Sequence, residues 1–390
     1  MIYQNLKMSA VAASLLISTA TFAQKPNVAK EFKYAAEQTG FMLKQLEANT
    51  DPKLVSPRTF ENGKFKIVSS TDWTSGFFPG ELWFLYEQTK DPKWLEQAKI
   101  YTAKIEKEQY NKGTHDLGFI IYCSFGNGYK LTKDPAYKQI IINAAKSLST
   151  RFNPKTGVIK SWDHNKELWV NPVIIDNMMN LELLFEATKL SGDSSFYKIA
   201  VSHADHTMKN HFRADYSSYH VVDYDPETGV VIKKTTHQGY SNESAWARGQ
   251  AWGLYGFTLC YRETHDKKYL EHAQRIARFI FSNPTMPKDL IPYWDYNDPT
   301  IPNTSRDVSA AAITASALYE LSGYAKNKDY VVKANTILNN LAANYKNPLN
   351  SNGGFILLHS TGHRPAKSEI DVPINYADYY YLEALLRSKK

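Results

Sequence analysis

Apolar residues recur along much of this chain at intervals of three to four positions, the pattern typical of helices that pack on one side. Five times the pattern is interrupted by a short polar stretch, as in "YEQTKDPKWLEQAKI" and "YRETHDKKYLEHAQR", and then resumes. At each interruption Asp or Asn precedes an aromatic residue by three positions, and a small or apolar residue follows the aromatic by four. The five sets are Asp91, Trp94 and Ala98; Asp134, Tyr137 and Ile141; Asp193, Phe196 and Ala200; Asp266, Tyr269 and Ala273; and Asn327, Tyr330 and Ala334.

These turns predict five helical hairpins, because Asp and Asn are favoured N-caps and the aromatic and small residues fall on one helix face. A lone helix at about residues 28–47 and another at about 374–389 bring the number of helices to twelve. Five internal pairs with one helix at each end predict an all-α fold, an (α/α)6 toroid or barrel of six helical hairpins. An open solenoid is the alternative. Short strands are expected only near "YHVVDYD" and "GVVIKK".

The long connections all lie between one hairpin and the next, so they are expected at one end of the ring, together with the functional site. Asp116 in "HDLGFIIY" and Asp176 in "NPVIIDNMMNLELLF" open the first helices of consecutive pairs. A ring makes them neighbours across one pocket. Helix capping is the simpler role for each carboxylate. His115 beside Asp116, and the apolar residues around Asp176, favour a chemical role, because burial raises the pKa of a carboxyl group.

Aromatic and hydrogen-bonding side chains accompany the two carboxylates at the same junctions. Two carboxylates facing one pocket lined with rings suit glycosidic chemistry, in which one acts as acid or base and the other as partner. Arg248 in "SAWARGQAW" can bind a substrate carboxylate with two hydrogen bonds, and a salt bridge to a neighbouring acid is an equal alternative. The candidates are Trp73, Trp162, Trp246 and Trp252 for stacking, and His220, Gln238 and Arg248 for hydrogen bonding.

Composition narrows the function classes. The formal charge of +7 over 390 residues is spread along the chain, which argues against nucleic acid as the main partner. No paired-histidine zinc spacing, Walker pattern or glycine-rich strand-to-helix turn is present, and "DYDPETG" is better interpreted as a turn than as a calcium loop, so we expect neither a metal nor a cofactor. Cys123 and Cys260 lie in apolar helical stretches and are expected to be buried free thiols.

The start of the chain is typical of a secretory signal peptide. Lys7 precedes an apolar run that ends in small residues at Ala23. We therefore expect residues 1–23 to be a leader and residues 24–390 a single catalytic domain in the bacterial periplasm, with no membrane span in the mature chain.

Five motifs in order, "STDWTSGFFPGELW", "HDLGF", "IIDNMMNLELL", "THQGYSNESAWARGQAWGLYG" and "PINYADYYYLEAL", resemble the unsaturated glucuronyl hydrolases, glycoside hydrolase family 88. The family's fold is an (α/α)6 barrel, in agreement with the helix count. The resemblance implies hydration of the C4=C5 double bond that polysaccharide lyases leave in the terminal uronic acid of their products. The hemiketal so formed opens, and the glycosidic bond is lost.

The resemblance also implies roles for residues of these motifs. Asp176 would protonate C4 and help water to attack C5, while Asp116 would hold the ring hydroxyls and support the proton balance. The sugar-lining residues it implies are Trp73, His115, Trp162, His220, Gln238, Arg248 and Trp252.

The expected substrates are unsaturated glycosaminoglycan di- or oligosaccharides. The loop before the last helix, "LLHSTGHRPAKSEIDVP", offers groups that could meet a sulfate, but not with the spacing that the resemblance implies for chondroitin-type members. Heparin or heparan products are one alternative, and a solvated basic loop without a sulfate is a nearly equal one. The groups that could meet a sulfate are Ser360, His363, Arg364, Lys367 and Ser368.

Three rival functions remain at this stage. A sister family on the same fold removes unsaturated galacturonyl groups from rhamnogalacturonan and relies mainly on one Asp, whereas Asp116 and Asp176 are both present here. A toroidal polysaccharide lyase would need a Tyr or His base beside a group that neutralises the carboxylate. A noncatalytic sugar-binding protein would lose nothing when Asp176 is replaced by Asn.

Overall fold

The structure is a computed structural model that describes residues 24–389. The expected leader, residues 1–23, lies outside the described residues. The helices are α1 (Val28–Leu46), α2 (Phe77–Thr89), α3 (Pro92–Ala103), α4 (Asn127–Thr132), α5 (Pro135–Ser149), α6 (Leu181–Ser191), α7 (Ser194–Asn210), α8 (Ala247–Thr264), α9 (Lys267–Ser282), α10 (Val308–Ala325), α11 (Lys328–Asn344) and α12 (Asn375–Arg387). A π-helical segment, Gly118–Gly126, leads into α4, and a 3-10 segment, Ile175–Asn180, leads into α6.

The five predicted hairpin turns are confirmed, and they share one backbone geometry. Each first helix ends at a residue in the left-handed conformation, and the next residue is the predicted Asp or Asn N-cap. Every one of these side chains accepts a hydrogen bond from the backbone N–H two residues later, at 2.8–3.1 Å. Two residues therefore suffice to end one helix and begin the next.

The ring is closed, so the barrel is confirmed and the open solenoid is wrong. The helices that begin each pair form an inner ring in which α8 packs on α10, α10 on α12, and α12 on α2. Inner helices such as α8 and α10 are buried nearly all round, whereas the outer helix α9 buries one face only. A helix that is apolar all round belongs in the interior, and the alanine-rich α10 allows close packing there.

Within residues 24–389, nine short strands lie in the long connections at the end of the barrel where the inner helices begin. They are β1 (Ser56–Glu61), β2 (Lys64–Val68), β3 (Phe152–Asn153), β4 (Val158–Ile159), β5 (Pro172–Ile174), β6 (Val221–Tyr224), β7 (Val231–Thr235), β8 (Ser360–His363) and β9 (Ser368–Val372). All pairings between these strands are antiparallel: β1–β2, β3–β4, β5–β6–β7 and β8–β9.

The predicted strands near "YHVVDYD" and "GVVIKK" are confirmed as β6 and β7. The hairpins β1–β2 and β8–β9 were not expected. Asn62 and Gly63 link β1 to β2 with φ of 52° and 75°, as a type I′ turn requires. An Asn-Gly pair between short apolar runs is a strong hairpin signal, so this one was recoverable from the sequence.

Cys123 and Cys260 are buried free thiols, as predicted. Among the described helices, none is long and apolar enough to cross a membrane.

Candidate active site

A cavity of about 280 Å³ opens where the inner helices begin. Its walls come from connections distributed round the ring, including the loop before α2, the β7–α8 loop, the β8–β9 hairpin and the first turn of α12. Seven residues singled out from the sequence line it: Trp73, His115, Asp116, Trp162, Asp176, Gln238 and His363. Closure of the ring therefore brings together side chains that are far apart along the chain.

The two carboxylates share a wall because the segments that follow them pack in close contact. A Cβ atom on Gly118 would lie 2.5 Å from the Cα atom of Asn180, so only glycine permits this approach. The N–H of Phe119 donates to Asn180 Oδ1 at 3.1 Å. The π-helical segment after Asp116 is thus joined to the 3-10 segment that begins at Ile175.

Neither carboxylate serves as the side-chain cap of its helical segment. Asp116 accepts a hydrogen bond from the Thr114 hydroxyl at 3.1 Å. Asp176 Oδ2 is buried with no hydrogen-bond partner among the described residues. The simpler capping role is therefore not the one that the structure shows, and both groups are directed to the cavity.

Burial raises the pKa of both carboxyl groups to about 7. For Asp176, the positive charge of Arg248 opposes this rise and the nearby Asp116 adds to it. For Asp116, hydrogen bonds from Thr114 and Asn180 oppose the rise. A carboxyl group whose pKa lies near neutrality can donate a proton and recover it within one reaction cycle.

His115 favours the protonated form of Asp116. Its Nδ1 atom lies 2.6 Å from the carbonyl oxygen of Ser161, so Nδ1 carries a proton and donates it to that oxygen. Its Nε2 atom lies 3.2 Å from Asp116 Oδ1. Burial lowers the pKa of His115 to about 3, so this contact is not an ion pair. A neutral Nε2 presents a lone pair, which is satisfied only when Asp116 carries the proton.

His220 has the opposite tautomer and lies against the other carboxylate. Its Nδ1 atom accepts from the backbone N–H groups of His237 and Gln238 at 3.1 and 3.0 Å, so the proton is on Nε2. Nε2 lies 3.7 Å from Asp176 Oδ2. Burial lowers the pKa of His220 well below its ordinary value, so the ring is a neutral donor. Its N–H group therefore stabilises the ionised form of Asp176, which exists after that residue has given up its proton.

Arg248 is buried and its guanidinium is bound by other groups of the protein. Of the two roles predicted for it, the salt bridge to an acid is the one observed. Arg248 pairs with Asp307 at 2.8 Å and donates to the carbonyl oxygens of Thr361 and Gly362, both at 2.6 Å. Gln238 Nε2 also donates to the Gly362 carbonyl, at 3.1 Å. These contacts hold strand β8, which forms part of the cavity wall, and they leave the Arg248 charge close enough to Asp176 to lower its pKa.

The predicted tryptophans separate into two groups. Trp73 and Trp162 line the cavity, with the ring of Trp73 5.0 Å from that of Tyr376. Trp246 and Trp252 are buried behind it: Trp246 lies under the Arg248 guanidinium at 4.5 Å, and Trp252 packs on Phe119 at 5.2 Å. The indole of Trp252 still lowers the pKa of Asp176.

The residues expected to meet a sulfate are not brought together at the cavity. Ser360 is buried within β8, and Lys367 is exposed in the turn between β8 and β9. Arg364 lines a separate surface groove beside Ser305, with its Nε atom 3.8 Å from Asp298. Only His363 of the loop lines the cavity with its side chain partly exposed.

Sequence reasoning missed four side chains of the cavity wall: Arg58, His164, His237 and Tyr376. Arg58 lies in β1, the first strand of the hairpin that the sequence analysis did not predict. Its guanidinium forms salt bridges with Asp72 at 3.0 Å and Glu369 at 2.7 Å. Tyr376 stands in the quoted motif "PINYADYYY", where one tyrosine among several gave no signal. The histidines lie in loops whose course depends on the barrel.

The model of Glycosyl Hydrolase Family 88 matches residues 53–387 of this chain. An unsaturated glucuronyl hydrolase of Formosa agariphila is 52% identical over 324 residues, which is 83% of this chain and 81% of that protein. An unsaturated chondroitin disaccharide hydrolase of Streptococcus pneumoniae is 34% identical over 363 residues, 90% of each chain.

Among solved structures, an unsaturated glucuronyl hydrolase described as specific for heparin superposes with a TM-score of 0.88. The two chains are 48% identical, and the match covers 93% of this chain and 96% of the other. The fold of this chain is therefore the fold of a solved unsaturated glucuronyl hydrolase.

Proposed function

Because this chain belongs to glycoside hydrolase family 88 and is an unsaturated glucuronyl hydrolase, we propose that Asp176 is its general acid and base and Asp116 the partner carboxyl. The observation that carries this assignment is the pair of largely buried carboxyl groups in one cavity. Each has its pKa raised to about 7, and neither is neutralised by a cation in direct contact.

The reaction begins with transfer of the Asp176 proton to C4 of the unsaturated sugar. Positive charge then develops at C5 and the ring oxygen, and the newly ionised Asp176 stabilises it electrostatically. The Nε2–H of His220 and the charge of Arg248 stabilise that ionised carboxylate in turn. Water adds to C5 and returns a proton to Asp176, which restores the acid.

The product of hydration is a hemiketal at C5. It opens to a ketone, which leaves C1 as a hemiacetal of the second sugar, and collapse of that hemiacetal releases the second sugar with a free hydroxyl group. Asp116 holds hydroxyl groups of the unsaturated ring in this scheme. Its own proton is directed to the His115 lone pair, so Asp116 offers those hydroxyl groups its other, accepting oxygen without adding a second full negative charge beside Asp176.

The substrates are lyase products of glycosaminoglycans, and we assign the heparin type as the preferred class. One observation supports this choice: the solved structure that superposes with a TM-score of 0.88 is described as specific for heparin.

A panel of unsaturated disaccharides tests both assignments. We expect purified residues 24–390 to remove the ultraviolet absorbance of the C4=C5 bond from heparin-derived disaccharides faster than from hyaluronan, chondroitin or rhamnogalacturonan products. Asp176→Asn should abolish the loss. Equal turnover by this variant would contradict the acid assignment, and preference for a chondroitin disaccharide would contradict the substrate class.

We also propose that the protein is exported to the periplasm, on the basis of the leader pattern in residues 1–23. Fractionation of the producing cells should recover the activity with periplasmic markers, and the purified chain should begin at or near Gln24. Recovery of the uncleaved chain in the cytoplasm would contradict the proposal.

A further inference from the structure

One serine of the β4–β5 connection contacts the segments that carry both acids. Ser161 directly precedes Trp162 of the cavity wall, and only 1% of its surface is exposed. Its N–H donates to the carbonyl oxygen of Pro172, the first residue of β5, at 2.8 Å. That bond places Ser161 beside the strand that leads directly to Asp176.

The Ser161 hydroxyl group holds the chain on both sides of Asp176. The N–H of Ile174 donates to Ser161 Oγ at 2.9 Å, and Asn177 Nδ2 donates to the same oxygen at 3.3 Å. These donors belong to the residue two positions before Asp176 and to the residue directly after it. A hydroxyl oxygen has two lone pairs, so Ser161 Oγ can accept both hydrogen bonds at once.

The segment that carries Asp176 needs acceptors from outside itself. Asp176 lies in the first turn of the 3-10 segment Ile175–Asn180, where backbone N–H groups have no partner within the helix. The N–H of Ile175 donates to the carbonyl oxygen of His220 at 3.1 Å, and the preceding N–H donates to Ser161. A backbone carbonyl and one hydroxyl group therefore fix the backbone at the start of this turn.

The main-chain carbonyl of Ser161 acts on the other acid. It accepts the proton of His115 Nδ1 at 2.6 Å, which leaves the lone pair of Nε2 directed to Asp116 at 3.2 Å. The hydroxyl and the carbonyl belong to one residue, so covalent bonds fix their separation. A displacement of Ser161 therefore changes the surroundings of both carboxyl groups together.

We propose that Ser161 is a positioning residue that sets the place of Asp176 relative to Asp116 and to C4 of the bound sugar. This role rests on the proposed function, because it takes Asp176 as the group that protonates the substrate. Ser161 acts through the backbone of Ile174 and the side chain of Asn177, not by touching the reacting atoms. Proton transfer needs the acid within hydrogen-bond distance of the accepting atom, so a small displacement lowers kcat more than it weakens binding.

Removal of the hydroxyl group should also change the pKa of Asp176. Burial raises that pKa to about 7, Arg248 of α8 lowers it, Asp116 raises it, and the N–H of Asp176 itself lowers it; the neutral His220 lies 3.7 Å away. Ser161 is uncharged, so its replacement acts only through position and hydration. Water that enters to satisfy the freed Ile174 N–H would hydrate the carboxylate and lower its pKa.

Three variants test the role of Ser161. Ser161→Ala removes the acceptor, and Ser161→Thr keeps a hydroxyl group at the same position. Ser147→Ala is the matched control: Ser147 of α5 is also buried, and its hydroxyl donates to the carbonyl oxygen of Gln109 at 2.7 Å, outside the cavity wall. Turnover of a heparin-derived unsaturated disaccharide is followed between pH 5.5 and 8, and thermal melting measures the stability of each variant.

In Ser161→Ala we expect kcat to fall by about 30-fold, with KM changed less than about threefold. The decline of kcat at high pH, where Asp176 loses its proton, should move to lower pH by about one unit. Ser161→Thr should recover most of the loss, while Ser147→Ala should keep the wild-type kcat and pH profile whatever it loses in melting temperature. A wild-type kcat and pH profile in Ser161→Ala would overturn the proposal.

A double-variant cycle with Asn177→Ala shows whether the two residues act together. Because Asn177 donates to Ser161 Oγ, the double variant should lose clearly less kcat than the product of the two single losses. Losses that multiply would overturn the shared role.

Carboxyl ¹³C NMR titration of the free protein separates this proposal from the proposed function. The Asp176 signal is assigned by its absence in Asp176→Asn, and its pKa is compared between the wild type, Ser161→Ala and Ser147→Ala. We expect a lowered pKa in Ser161→Ala alone. An unchanged pKa together with wild-type kcat would overturn the positioning role even if Asp176→Asn is inactive, whereas full activity of Asp176→Asn would contradict the proposed function even if this pKa moves.

Discussion

The two ends of the inner ring differ in whether their largely buried carboxylates are paired with cations. At the end where the inner helices begin, Asp116 and Asp176 face a cavity, and no Lys or Arg among the described residues forms a salt bridge with either. At the opposite end, where those helices finish, Glu320 of α10 pairs with Arg262 of α8 at 3.0 Å and with Arg387 of α12 at 2.8 Å. Both groups are shielded from water, but only the second is neutralised.

The pKa values follow from this difference. Burial raises the pKa of Asp176 to about 7, because the opposing charge of Arg248 is not enough to cancel it. Burial also acts on Glu320, but Arg387 and Arg262 outweigh it, so the pKa of Glu320 is lowered. The comparison teaches that burial alone does not make a catalytic acid. At the cavity end, where the inner helices begin, the carboxyl groups are incompletely paired. At the opposite end, called the closed end below, salt bridges connect three inner helices.

Substitutions at the two ends of the barrel should differ most in their effect on kcat. Asp176→Asn removes the proton donor, so we expect kcat to fall by about 10³-fold, within the range for loss of general acid–base catalysis. Glu320→Gln should leave kcat within about threefold at temperatures where the variant is folded. Loss of the ultraviolet absorbance of the substrate measures both. A comparable loss of kcat in Glu320→Gln would break the comparison, because the closed end would then contribute to the chemistry.

The free energy of unfolding at pH 7 should instead fall most for the substitution at the closed end. Glu320→Gln removes the carboxylate that Arg262 and Arg387 share. Arg262 keeps Glu182 and Glu263, and Arg387 keeps Glu383, so we expect the free energy of unfolding to fall by about 2 kcal/mol, the loss of hydrogen bonds between charged groups. Chemical denaturation at pH 7 measures the difference. Lys155, which pairs with Glu227 at the surface, offers a control: Glu227→Gln should change the free energy by less than about 0.5 kcal/mol. A null effect of Glu320→Gln would mean that the closed end is not held by its charges.

The cavity carboxylates should make stability depend on pH. The folded-state pKa of Asp176 is raised above its unfolded value of 3.8, so its contribution is fully present below about pH 4 and is lost as the pH rises through about 7. Between pH 5 and 8 the wild type should lose about 2 kcal/mol relative to Asp176→Asn. Urea midpoints of both proteins at several pH values check this. Parallel curves would show that Asp176 keeps an ordinary pKa.

The smallest expected effect concerns the contact that aligns the two acids. Gly118→Ala places a Cβ atom against Asn180, so the two helical segments must separate slightly. We expect a loss of stability of about 1–2 kcal/mol and a fall in kcat of about tenfold, with KM less affected. Gly323→Ala on α10, where a Cβ atom meets no neighbour within 4 Å, is the matched control. Full activity in Gly118→Ala would show that the spacing of the acids is not critical.

Much of the barrel was accessible from the sequence because its signals are local. The N-cap residues from Asp91 to Asn327 satisfy amide groups within their own helices, so their spacing alone predicts the hairpins. The helix starts that carry Asp116 and Asp176 followed from the same repeat. The β1–β2 turn was also local and was overlooked, and with it the position of Arg58.

Other features of the site depended on contacts between distant segments. The sequence did not distinguish the two roles of Arg248, because its partners are Asp307 and the carbonyl oxygens of β8. It did not show that Ser360 is buried or that Arg364 lines another groove. Nor did it show that His164, His237 and His363 line the same cavity, since no local signal along the chain indicates which loops are neighbours.

The sequence by itself determined the helical hairpins and their order, and it singled out Asp116 and Asp176 as candidate acids, because capping, periodicity and motif order are properties of short segments. The tertiary structure alone decided that the ring closes, which tautomers His115 and His220 adopt, and that the pKa values of both acids lie near 7. Those properties arise from burial and from partners far away in the chain, and neither exists before the barrel has formed.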